Sequence, residues 1–302
     1  MQMKIGIAGT GRMGAAIAHR LIGLGHEIVV WNRTTEKTKA LASAGAKVAV
    51  SPSELAAASD TIITILTDAS AINATYRDRD GLLSGAISGK LFVEMSTVLP
   101  ETERALAADV RGKGAVLVEC PVGGTIGPAK DGRLFGFVGG EPADVARARP
   151  LLETMCRRVE HLGPVGAGAS MKLAINLPLL VFWQAFGEAL LLCRSLGLDA
   201  ARLVEIFADT SGGPNVLKTR GPALAAALEG RDVGVVTVDI DAMRKDLRTM
   251  VEEARSLGAQ LPVAARALEC YDQAAGAGLG KGDITAIPVR WMKQLEESRA
   301  KR

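Results

Sequence analysis

The sequence predicts an α/β fold, in which an N-terminal doubly wound parallel sheet of the Rossmann type is followed by an all-α C-terminal domain. Two observations support this prediction. Short apolar runs alternate with amphipathic stretches through the first half of the chain, which is the order expected of a doubly wound sheet. After about residue 162 the strand pattern stops, and long helical stretches punctuated by Gly and Pro follow.

The predicted strands are apolar runs of four to six residues, and they cover 4–8, 27–31, 61–66, 91–94, 115–119 and 134–138. The predicted helices have apolar residues on one face, and they cover 14–24, 35–44, 53–58 and 101–113. Thr34 directly precedes the second of these helices and is expected to cap it. Gly and Pro residues at 163–168 predict a junction, so we expect domains at 1–163 and 164–302.

Composition excludes several classes of protein. The 302 residues are 48% hydrophobic and 23% charged, as in a soluble, helix-rich protein. The 36 basic and 33 acidic residues give a net charge of +3 without a single-sign block, so we expect no nucleic-acid partner. Four separated cysteines and three histidines lack the spacing of a zinc site, so we expect no metal. The N-terminus lacks a signal-peptide pattern, which favours a cytoplasmic protein with reduced thiols.

Residues 173–193 are nearly all apolar, and the segment is about as long as a membrane span. Polar residues interrupt the pattern at intervals of four and eight positions, which predicts that they lie roughly along one helical face. They are Lys172, Asn176, Gln184 and Glu188. We therefore expect a buried helix with a functional stripe and no membrane partner, with a kink or a break in the hydrogen-bond ladder at Pro178.

A glycine-rich motif connects the first predicted strand to the first predicted helix. It reads Gly9-Thr10-Gly11-Arg12-Met13-Gly14. Glycines also serve ordinary turns, but a GxGxxG pattern between a strand and a helix predicts a dinucleotide-binding loop. The first two glycines allow a tight turn and close approach of the pyrophosphate, and the third lets the helix pack on the strand. The helix N-terminus supplies amide donors, so all six residues are predicted to bind the cofactor.

The end of the second predicted strand indicates which dinucleotide is bound. An acidic residue there would bond the ribose 2′-hydroxyl and repel a 2′-phosphate, but the chain has Asn32-Arg33-Thr34. Arg33 can stack on adenine and pair with the phosphate, while Asn32 and Thr34 offer neutral hydrogen-bonding groups. The sequence therefore favours NADP, with NADPH preferred over NADH.

Few residues of the chain can serve as the proton donor of a dehydrogenase. Neither Tyr76 nor Tyr271 is followed four residues later by lysine, which excludes the tyrosine–lysine relay of short-chain enzymes. His161 is expected to be structural. Lys172 begins the apolar helix, and Asn176 lies one turn later on the same face. In apolar surroundings the pKa of a lysine falls and it can donate a proton, whereas most helix lysines are solvated charges, and both interpretations stay open at this point.

The motifs together resemble the β-hydroxyacid dehydrogenase family, which includes 3-hydroxyisobutyrate dehydrogenase and tartronate semialdehyde reductase. They occur in family order along nearly the whole chain. They are GxGxMG at 9–14, Met-Ser-Thr at 95–97 with Pro100, a Pro-Val-x-Gly-Gly-like run at 121–124, GAGASMKLAIN at 166–176, and Lys245-Asp246.

The resemblance implies roles for residues outside the glycine motif. Lys172 would be the catalytic acid/base that protonates the carbonyl oxygen during reduction, with Asn176 helping to hold the substrate. Lys245 would reach toward the cofactor over a cleft between the two domains, which is where an active site is expected. The nicotinamide end of the cofactor would be lined by Leu66, Thr67, Ser96 and Thr97. Family members commonly interlock their helical domains, which implies a homodimer or homotetramer.

The predicted substrate loop departs from the family pattern. Members acting on carboxylates usually carry Asp-x-Pro-Val-Ser-Gly-Gly, whose serine holds the carboxylate. Here residues 119–125 read Glu-Cys-Pro-Val-Gly-Gly-Thr. The predicted substrate-binding residues are therefore Val122, Gly123, Gly124 and Thr125. The amides of Gly123 and Gly124 can bind an anion as a nest, and Thr125 can replace the hydroxyl. Leu177, in place of a second asparagine, makes the pocket more apolar.

We therefore expect an NADPH-dependent reductase of a small carbonyl compound such as a semialdehyde, or equivalently an NADP-dependent 3-hydroxyacid dehydrogenase. Two alternatives stay open. Imine reductases have a comparable Asn-Arg-Thr sequence but usually carry Asp or Tyr where this chain has Lys172. A non-catalytic NADP-binding module would be expected to lack both Lys172 and Asn176, which the chain retains.

Overall fold

The structure is a computed structural model that describes residues 2–300, without the side chains of Arg194 and of residues 294–300. The chain forms two compact units, Met1–Ala174 and Ile175–Arg302. One long helix contributes its first residues to the first unit and the remainder to the second. The domain boundary predicted at 163/164 stays a prediction; it lies where the last strand ends.

The first unit alternates strands and helices. Its strands are β1 Lys4–Ala8, β2 Glu27–Trp31, β3 Lys47–Val48, β4 Thr61–Thr64, β5 Leu91–Glu94, β6 Val116–Glu119, β7 Val122–Gly123, β8 Leu134–Gly139 and β9 Cys156–Gly163. Its helices are α1 Arg12–Gly23, α2 Lys39–Ser43, α3 Pro52–Ala57, α4 Ala69–Arg77, α5 Pro100–Gly112, α6 Ile126–Asp131 and α7 Pro142–Met155. This order confirms the Rossmann-type fold that the sequence predicts.

The strands form one sheet in the order β3-β2-β1-β4-β5-β6-β8-β7, with β9 paired to β8. All neighbours from β3 to β6 are parallel. The strand order reverses between β1 and β4, and in such sheets ligands bind outside the carboxyl ends of the strands at this switch point. The glycine-rich motif follows β1 and therefore lies at this point.

The sheet is not parallel throughout. The strand predicted at 134–138 is present as β8, but it runs antiparallel to both β6 and β7. The chain returns to β8 through a short strand and a six-residue helix rather than through a long crossover helix, and such a return suits antiparallel pairing. The short strands β3 and β7 and the strand β9 were outside the predicted set. β9 carries several exposed charged residues, so it has no apolar run to mark it.

The expected cap at Thr34 is wrong. The segment after it begins with a 3₁₀ turn, Thr35–Thr38, and the Thr34 side chain makes no capping hydrogen bond. The backbone carbonyl of Thr34 instead accepts a hydrogen bond from the amide of Lys37 at 3.1 Å. The tighter turn satisfies a backbone group that a cap would otherwise have to satisfy.

Two apolar cores cover the two faces of the sheet. On one face Ile5, Ile7 and Ile63 pack with residues of α1, α6 and α7. On the other face Ile62 and Phe92 pack with residues of α3, α4 and α5. Neighbouring residues such as Ile62 and Ile63 enter opposite cores because successive side chains of a strand point to opposite faces. The unit is therefore a three-layer α/β structure.

The second unit is helical. Its helices are the greater part of α8 Ala167–Leu192, then α9 Ala200–Ala208, α10 Val216–Leu228, α11 Ile240–Ser256, α12 Pro262–Ala274 and α13 Ala286–Ala300. Asp199 and Asp239 begin α9 and α11 by accepting amide hydrogen bonds at 2.8 Å, from Arg202 and Ala242 respectively. In the core of this unit the hydroxyl of Tyr271 donates to the carbonyl of Leu180 in α8 at 2.9 Å.

Helix α8 differs in part from its prediction. By length and composition alone it is, among the described residues, the one helix that could span a membrane, and a third of its most apolar window is buried. The helix continues through Pro178, where the missing N–H leaves the Ala174 carbonyl without its helical donor. The expected single stripe is wrong, because 100° per residue places positions 172 and 188 about 160° apart. Gln184 is buried and accepts from Trp291 Nε1 at 3.1 Å, whereas Glu188 is exposed.

Candidate active site

The three glycines of the motif have three different surroundings. Gly9 has a φ of +99°, and a Cβ there would lie 2.4 Å from the carbonyl oxygen of Ile65. A Cβ on Gly14 would lie 1.9 Å from the carbonyl oxygen of Gly9, so only glycine lets α1 pack this closely on the β1 turn. Next to Gly11 there is no atom within 4 Å of a Cβ position. The loop thus leaves space for a ligand at Gly11, as a pyrophosphate-binding loop requires.

Asn32 holds this loop in place. Its side-chain Oδ1 accepts the amide of Thr10 at 3.0 Å, and its Nδ2 donates to the carbonyl of Thr34 at 3.0 Å. The buried hydroxyl of Thr10 donates to the carbonyl of Lys37 at 3.3 Å. Asn32 and Thr10, both predicted to bind the cofactor, therefore use these groups to join the glycine loop to the end of β2.

A cavity of about 430 Å³ opens beside the glycine loop. Seven residues predicted to bind the cofactor line it: Gly9, Gly11, Asn32, Arg33, Thr34, Leu66 and Thr67. Of the others, Met13 packs against the core beneath the loop, and Arg12 is exposed at the start of α1. The cavity lies at the carboxyl ends of β1, β2 and β4, where the topology predicts a ligand.

Basic side chains surround one part of this cavity. Arg33, Lys37 and Arg79 line it, all three are exposed, and none forms an ion pair within the part of the chain whose side chains are described. Asp78 and Asp80 line it as well, so the net charge of these five groups is +1. The sequence did not indicate Lys37 or Arg79, because both reach the cavity only through folding of the loops after β2 and α4.

Ser96 holds the loop of Leu66, which lines another part of the cavity. Its buried hydroxyl accepts the backbone amide of Leu66 at 2.7 Å and donates to the carboxylate of Glu94. Glu94 also accepts the backbone amide of Ser96 at 2.8 Å. Ser96 thus holds the Leu66 loop from inside the protein, while Thr97 is half-buried beside it. Direct contact of Ser96 and Thr97 with the nicotinamide stays a prediction.

Three glutamates are buried together next to this loop: Glu94 at the end of β5, Glu103 in the first turn of α5 and Glu119 at the end of β6. Burial raises the pKa of Glu94, and hydrogen bonds from Glu103, Ser96 and Thr64 oppose the rise. Burial raises the pKa of Glu103 well above its usual range, and the neighbouring Glu94 raises it further. No contact of regular hydrogen-bond geometry joins Glu103 to a described residue, although its carboxyl lies near that of Glu94, and its raised pKa favours the protonated form.

Glu119 connects the sheet to α8. Its Oε1 accepts the backbone amides of Gly166 at 2.6 Å and Gly168 at 2.8 Å, and its Oε2 accepts the amide of Ala169 at 3.2 Å. Burial raises the pKa of Glu119 to about 7, although the three amide hydrogen bonds oppose the rise. Lys172 follows one turn later on α8 and is half-buried, as is Asn176. Sequence reasoning selected Lys172 as a candidate, which stays a prediction, and missed the carboxylate that holds its helix.

The predicted substrate loop lies directly after Glu119. Val122 is buried in the core, and Gly123 belongs to β7, where it pairs with Phe135 of β8. A Cβ on Gly123 would lie 3.5 Å from the ring of Phe137, an ordinary contact distance. Gly124 has a φ of +124°. The Thr125 hydroxyl makes no hydrogen bond to any residue that the structure describes, and it is half-buried at the start of α6.

Two further candidates, Lys245 and His161, lie on other elements of the fold. Lys245 lies on α11 in the second unit, where its Nζ is 2.5 Å from a carboxylate oxygen of Asp246, and its reach toward the cofactor stays a prediction. His161 lies on β9 with its Nε2 2.8 Å from the carbonyl of Gly140, in agreement with a structural role. Among the described residues, no group of three or more His, Cys, Asp or Glu side chains is arranged to hold a metal ion.

Comparison with protein families gives two matches that follow one another along the chain. The family of the NAD binding domain of 6-phosphogluconate dehydrogenase matches residues 4–163, which is more than half of the chain. The family for NAD binding of NADP-dependent 3-hydroxyisobutyrate dehydrogenase matches residues 166–291.

Individual proteins are similar over nearly the same extent. Glyoxylate/succinic semialdehyde reductase 2, chloroplastic, of Arabidopsis thaliana is 32% identical over 94% of this chain and 78% of its own length. The 3-hydroxyisobutyrate dehydrogenase of Pseudomonas aeruginosa is 32% identical over 88% of this chain and 90% of its own. The solved structure of Mycobacterium tuberculosis 3-hydroxyisobutyrate dehydrogenase with L-serine has a TM-score of 0.82 at 28% identity, covering 95% of this chain and 98% of that one.

The buried carboxyl groups predict that the protein becomes less stable as the pH rises. Their pKa values are raised above the ordinary 4.5, so the folded protein keeps protons that the unfolded chain has released. Their stabilising contribution is complete below about pH 4.5 and is lost as the pH rises through the folded-state values. The free energy of unfolding, measured with urea between about pH 5 and pH 8, is therefore expected to fall.

Glu103→Gln tests this expectation. Removing the titratable carboxyl of Glu103 should reduce the slope of the free energy of unfolding against pH by up to about 1.4 kcal/mol per pH unit. Glu101→Gln is the matched control, because Glu101 lies on the same helix with an exposed side chain and should keep the original slope. Equal slopes for both variants would contradict a protonated Glu103 in the folded protein.

Proposed function

The chain belongs to the β-hydroxyacid dehydrogenase family, and we propose that it is an NADPH-dependent oxidoreductase that interconverts a small 3-hydroxyacid and its semialdehyde. The observation that carries the proposal is the position of Lys172. It lies in the second turn of α8, and the start of this helix is hydrogen-bonded to Glu119 in the same sheet that forms the dinucleotide cavity. The names of two relatives, a glyoxylate/succinic semialdehyde reductase and a 3-hydroxyisobutyrate dehydrogenase, agree with this chemistry.

The proposed reaction needs a hydride and a proton. NADPH, when bound, supplies the hydride for the carbonyl carbon. The ammonium group of Lys172 donates its proton to the carbonyl oxygen, which becomes the hydroxyl of the product, and the reverse reaction returns that proton to the lysine. Asn176, one turn along the helix, would hold the substrate beside Lys172. The glycine loop and the loop held by Ser96 would orient the cofactor.

The preference for NADPH over NADH rests on charge. Arg33, Lys37 and Arg79 are basic groups at the cavity without ion pairs among the described side chains, so a 2′-phosphate would not have to break such a pair to reach them. Arg33 has the additional ability to stack on the adenine ring and to bind the phosphate with two N–H groups. The family matched by residues 166–291 is itself described as NADP-dependent, which supports the same choice.

The substrate would be small and would bind beside residues 122–125. We propose that a carboxylate is held by the amides of Gly123 and Gly124 and by the Thr125 hydroxyl. The absence of a serine side chain at position 123 weakens the hold on a carboxylate, and the rings of Phe135 and Phe137, stacked with centroids 4.9 Å apart, lie next to that position. This arrangement favours a substrate with an apolar part.

We further propose that the protein is a homodimer or homotetramer in the cytoplasm. Several large apolar side chains of α8 are exposed in the single chain, among them Met171, Ile175 and Leu192, the last of which is 85% exposed. Exposed apolar residues of this size are typical of surfaces that bind another protein chain. A second copy of the chain would bury these side chains from water, so burial in a membrane is not required.

Lys172→Ala tests the proton donor. We expect turnover in the reducing direction to fall by roughly 100-fold or more, because general acid catalysis contributes about 10²- to 10⁴-fold. The Kd for NADPH should stay within a few-fold of the original value. The assay is a panel of small aldehydes, including succinic semialdehyde, with NADPH and with NADH, and cyclic imines are added to it. Retained aldehyde turnover would remove the lysine from the mechanism, and faster reduction of an imine would favour the imine reductase alternative.

Arg33→Ala tests the cofactor preference. Loss of a charge-assisted hydrogen bond should raise the Kd for NADPH by about 10-fold or more, while the Kd for NADH stays nearly constant. Lys39→Ala is the matched control, because it removes the same charge from an exposed neighbouring helix that does not line the cavity. Tighter binding of NADH than of NADPH by the unaltered protein would contradict the proposed preference.

Gly123→Ser tests the substrate loop. A side chain fits at this position without strain, so the free energy of unfolding should change by less than about 0.5 kcal/mol. A new hydroxyl should raise kcat/KM for succinic semialdehyde relative to butyraldehyde by about 2- to 10-fold. Thr125→Val replaces the hydroxyl by a methyl group and leaves the shape of the side chain nearly unchanged. It should lower the ratio of kcat/KM for succinic semialdehyde to that for butyraldehyde. An unchanged ratio in both variants would place the carboxylate elsewhere.

A further inference from the structure

The carboxylate of Glu119 makes an unusual connection for a helix start. Helices are usually capped by a residue directly before them that accepts one backbone amide. Here a residue 47 to 50 positions earlier in the chain accepts three amides, from Gly166, Gly168 and Ala169. The beginning of α8 is therefore attached to the end of β6 as well as to its own preceding loop, in which the carbonyl of Pro164 accepts the amide of Ala167 at 3.1 Å.

Close packing leaves this helix start little freedom to move. A Cβ on Gly168 would lie 2.3 Å from the carbonyl oxygen of Phe137 in β8, and a Cβ on Gly139 would lie 2.1 Å from Oε1 of Glu119. Gly166 has a φ of +103°, a left-handed conformation that suits glycine. The glycines of the segment 166–168 thus let the backbone approach Glu119 and β8, and any larger residue would push α8 away from the sheet.

We infer that Glu119 is a positioning residue that sets the place of Lys172 relative to the predicted substrate loop. Lys172 lies four residues after Gly168, on the same face of α8 and about 6 Å along its axis. The substrate loop begins at the residue after Glu119. One carboxylate therefore links the helix that carries the proton donor to the strand end from which the predicted substrate loop starts. This inference rests on the proposed function, in which Lys172 donates the proton.

Position matters because proton transfer requires hydrogen-bond contact between donor and acceptor. A misplacement of about 1 Å can lower a rate by roughly 100-fold. Glu119→Gln keeps the size of the side chain and one acceptor oxygen for Gly166 and Gly168. Its NH₂ group would replace the oxygen that faces the amide of Ala169, and two donors would then oppose each other. The variant should therefore displace the first turn of α8 without opening a cavity.

The experiment measures kcat, KM, the Kd for NADPH and the deuterium isotope effect with 4-deuterated NADPH, at about pH 8, where Glu119 is ionised. We expect Glu119→Gln to lower kcat by roughly 10- to 100-fold while the Kd for NADPH changes less than about 2-fold. The isotope effect should rise, because the chemical step becomes slower than product release. A loss of folded protein would lower kcat but could not change the isotope effect.

A second variant and a control complete the test. Gly168→Ala leaves Glu119 intact but places a Cβ against Phe137, so it should give the same kinetic pattern by moving the same turn. Glu153→Gln is the control, because it makes the same change at an exposed carboxylate of α7 that pairs with Arg149, and it should leave kcat within about 2-fold.

The possible results lead to different conclusions. An unchanged kcat in Glu119→Gln, or a lower kcat with an unchanged isotope effect, would overturn the positioning role. Lys172→Ala is measured in parallel. Full turnover by Lys172→Ala would overturn the proposed function itself, and it would do so whatever Glu119→Gln shows. An inactive Lys172→Ala together with an unaffected Glu119→Gln would overturn only the inference about Glu119.

Discussion

The convergence of three backbone amides on one buried carboxylate, that of Glu119, determines how the chain leaves its sheet. The end of β6, the predicted substrate loop after it and the start of α8 all meet at this group. Amide hydrogen bonds to a carboxylate are among the stronger ones in proteins, and burial strengthens them because water does not compete. Because the start of α8 is held in this way, the helix face that carries Lys172 has a defined orientation relative to the end of β6.

Three buried glutamates lower the stability of the folded protein, because an ionised carboxyl loses its hydration on burial. Glu94, Glu103 and Glu119 share one region, and burial raises the pKa of each. An apolar side chain at position 103 would avoid the desolvation of a carboxyl group. Glu94 and Glu119 are different, since each holds a loop of the candidate site: Glu94 through Ser96 and Leu66, and Glu119 through the start of α8. The carboxyl groups that hold the loops of the candidate site thus lower the free energy of unfolding at neutral pH, because each is costly to bury in its ionised form.

Much of this architecture could be predicted because it depends on local patterns. Alternating apolar and amphipathic stretches reflect the periods of strand and helix, so six strands of the first unit were found within two residues of their bounds at either end. The spacing of the glycines also predicted a tight turn at Gly9 and close packing of the helix at Gly14, and the structure has both. The antiparallel direction of β8 and the exposed strand β9 could not be predicted in this way, because strand direction and edge pairing depend on the path of the chain and not on apolar periodicity.

The sequence by itself determined the fold class and the dinucleotide-binding loop, because each depends on local patterns of residues. It made Lys172 the candidate proton donor through the resemblance of motifs along nearly the whole chain to those of a known family. Only the tertiary structure decided that Asn32 and Ser96 hold loops from within, that Lys37 and Arg79 reach the cavity, and that Glu119 holds the helix of Lys172. Those contacts join residues from 22 to 50 positions apart, and Lys37 and Arg79 come to line the same cavity only after the chain has folded. Hydrogen bonds of this kind leave no periodic signal in a sequence, since any buried polar group can find its partner in any neighbouring element.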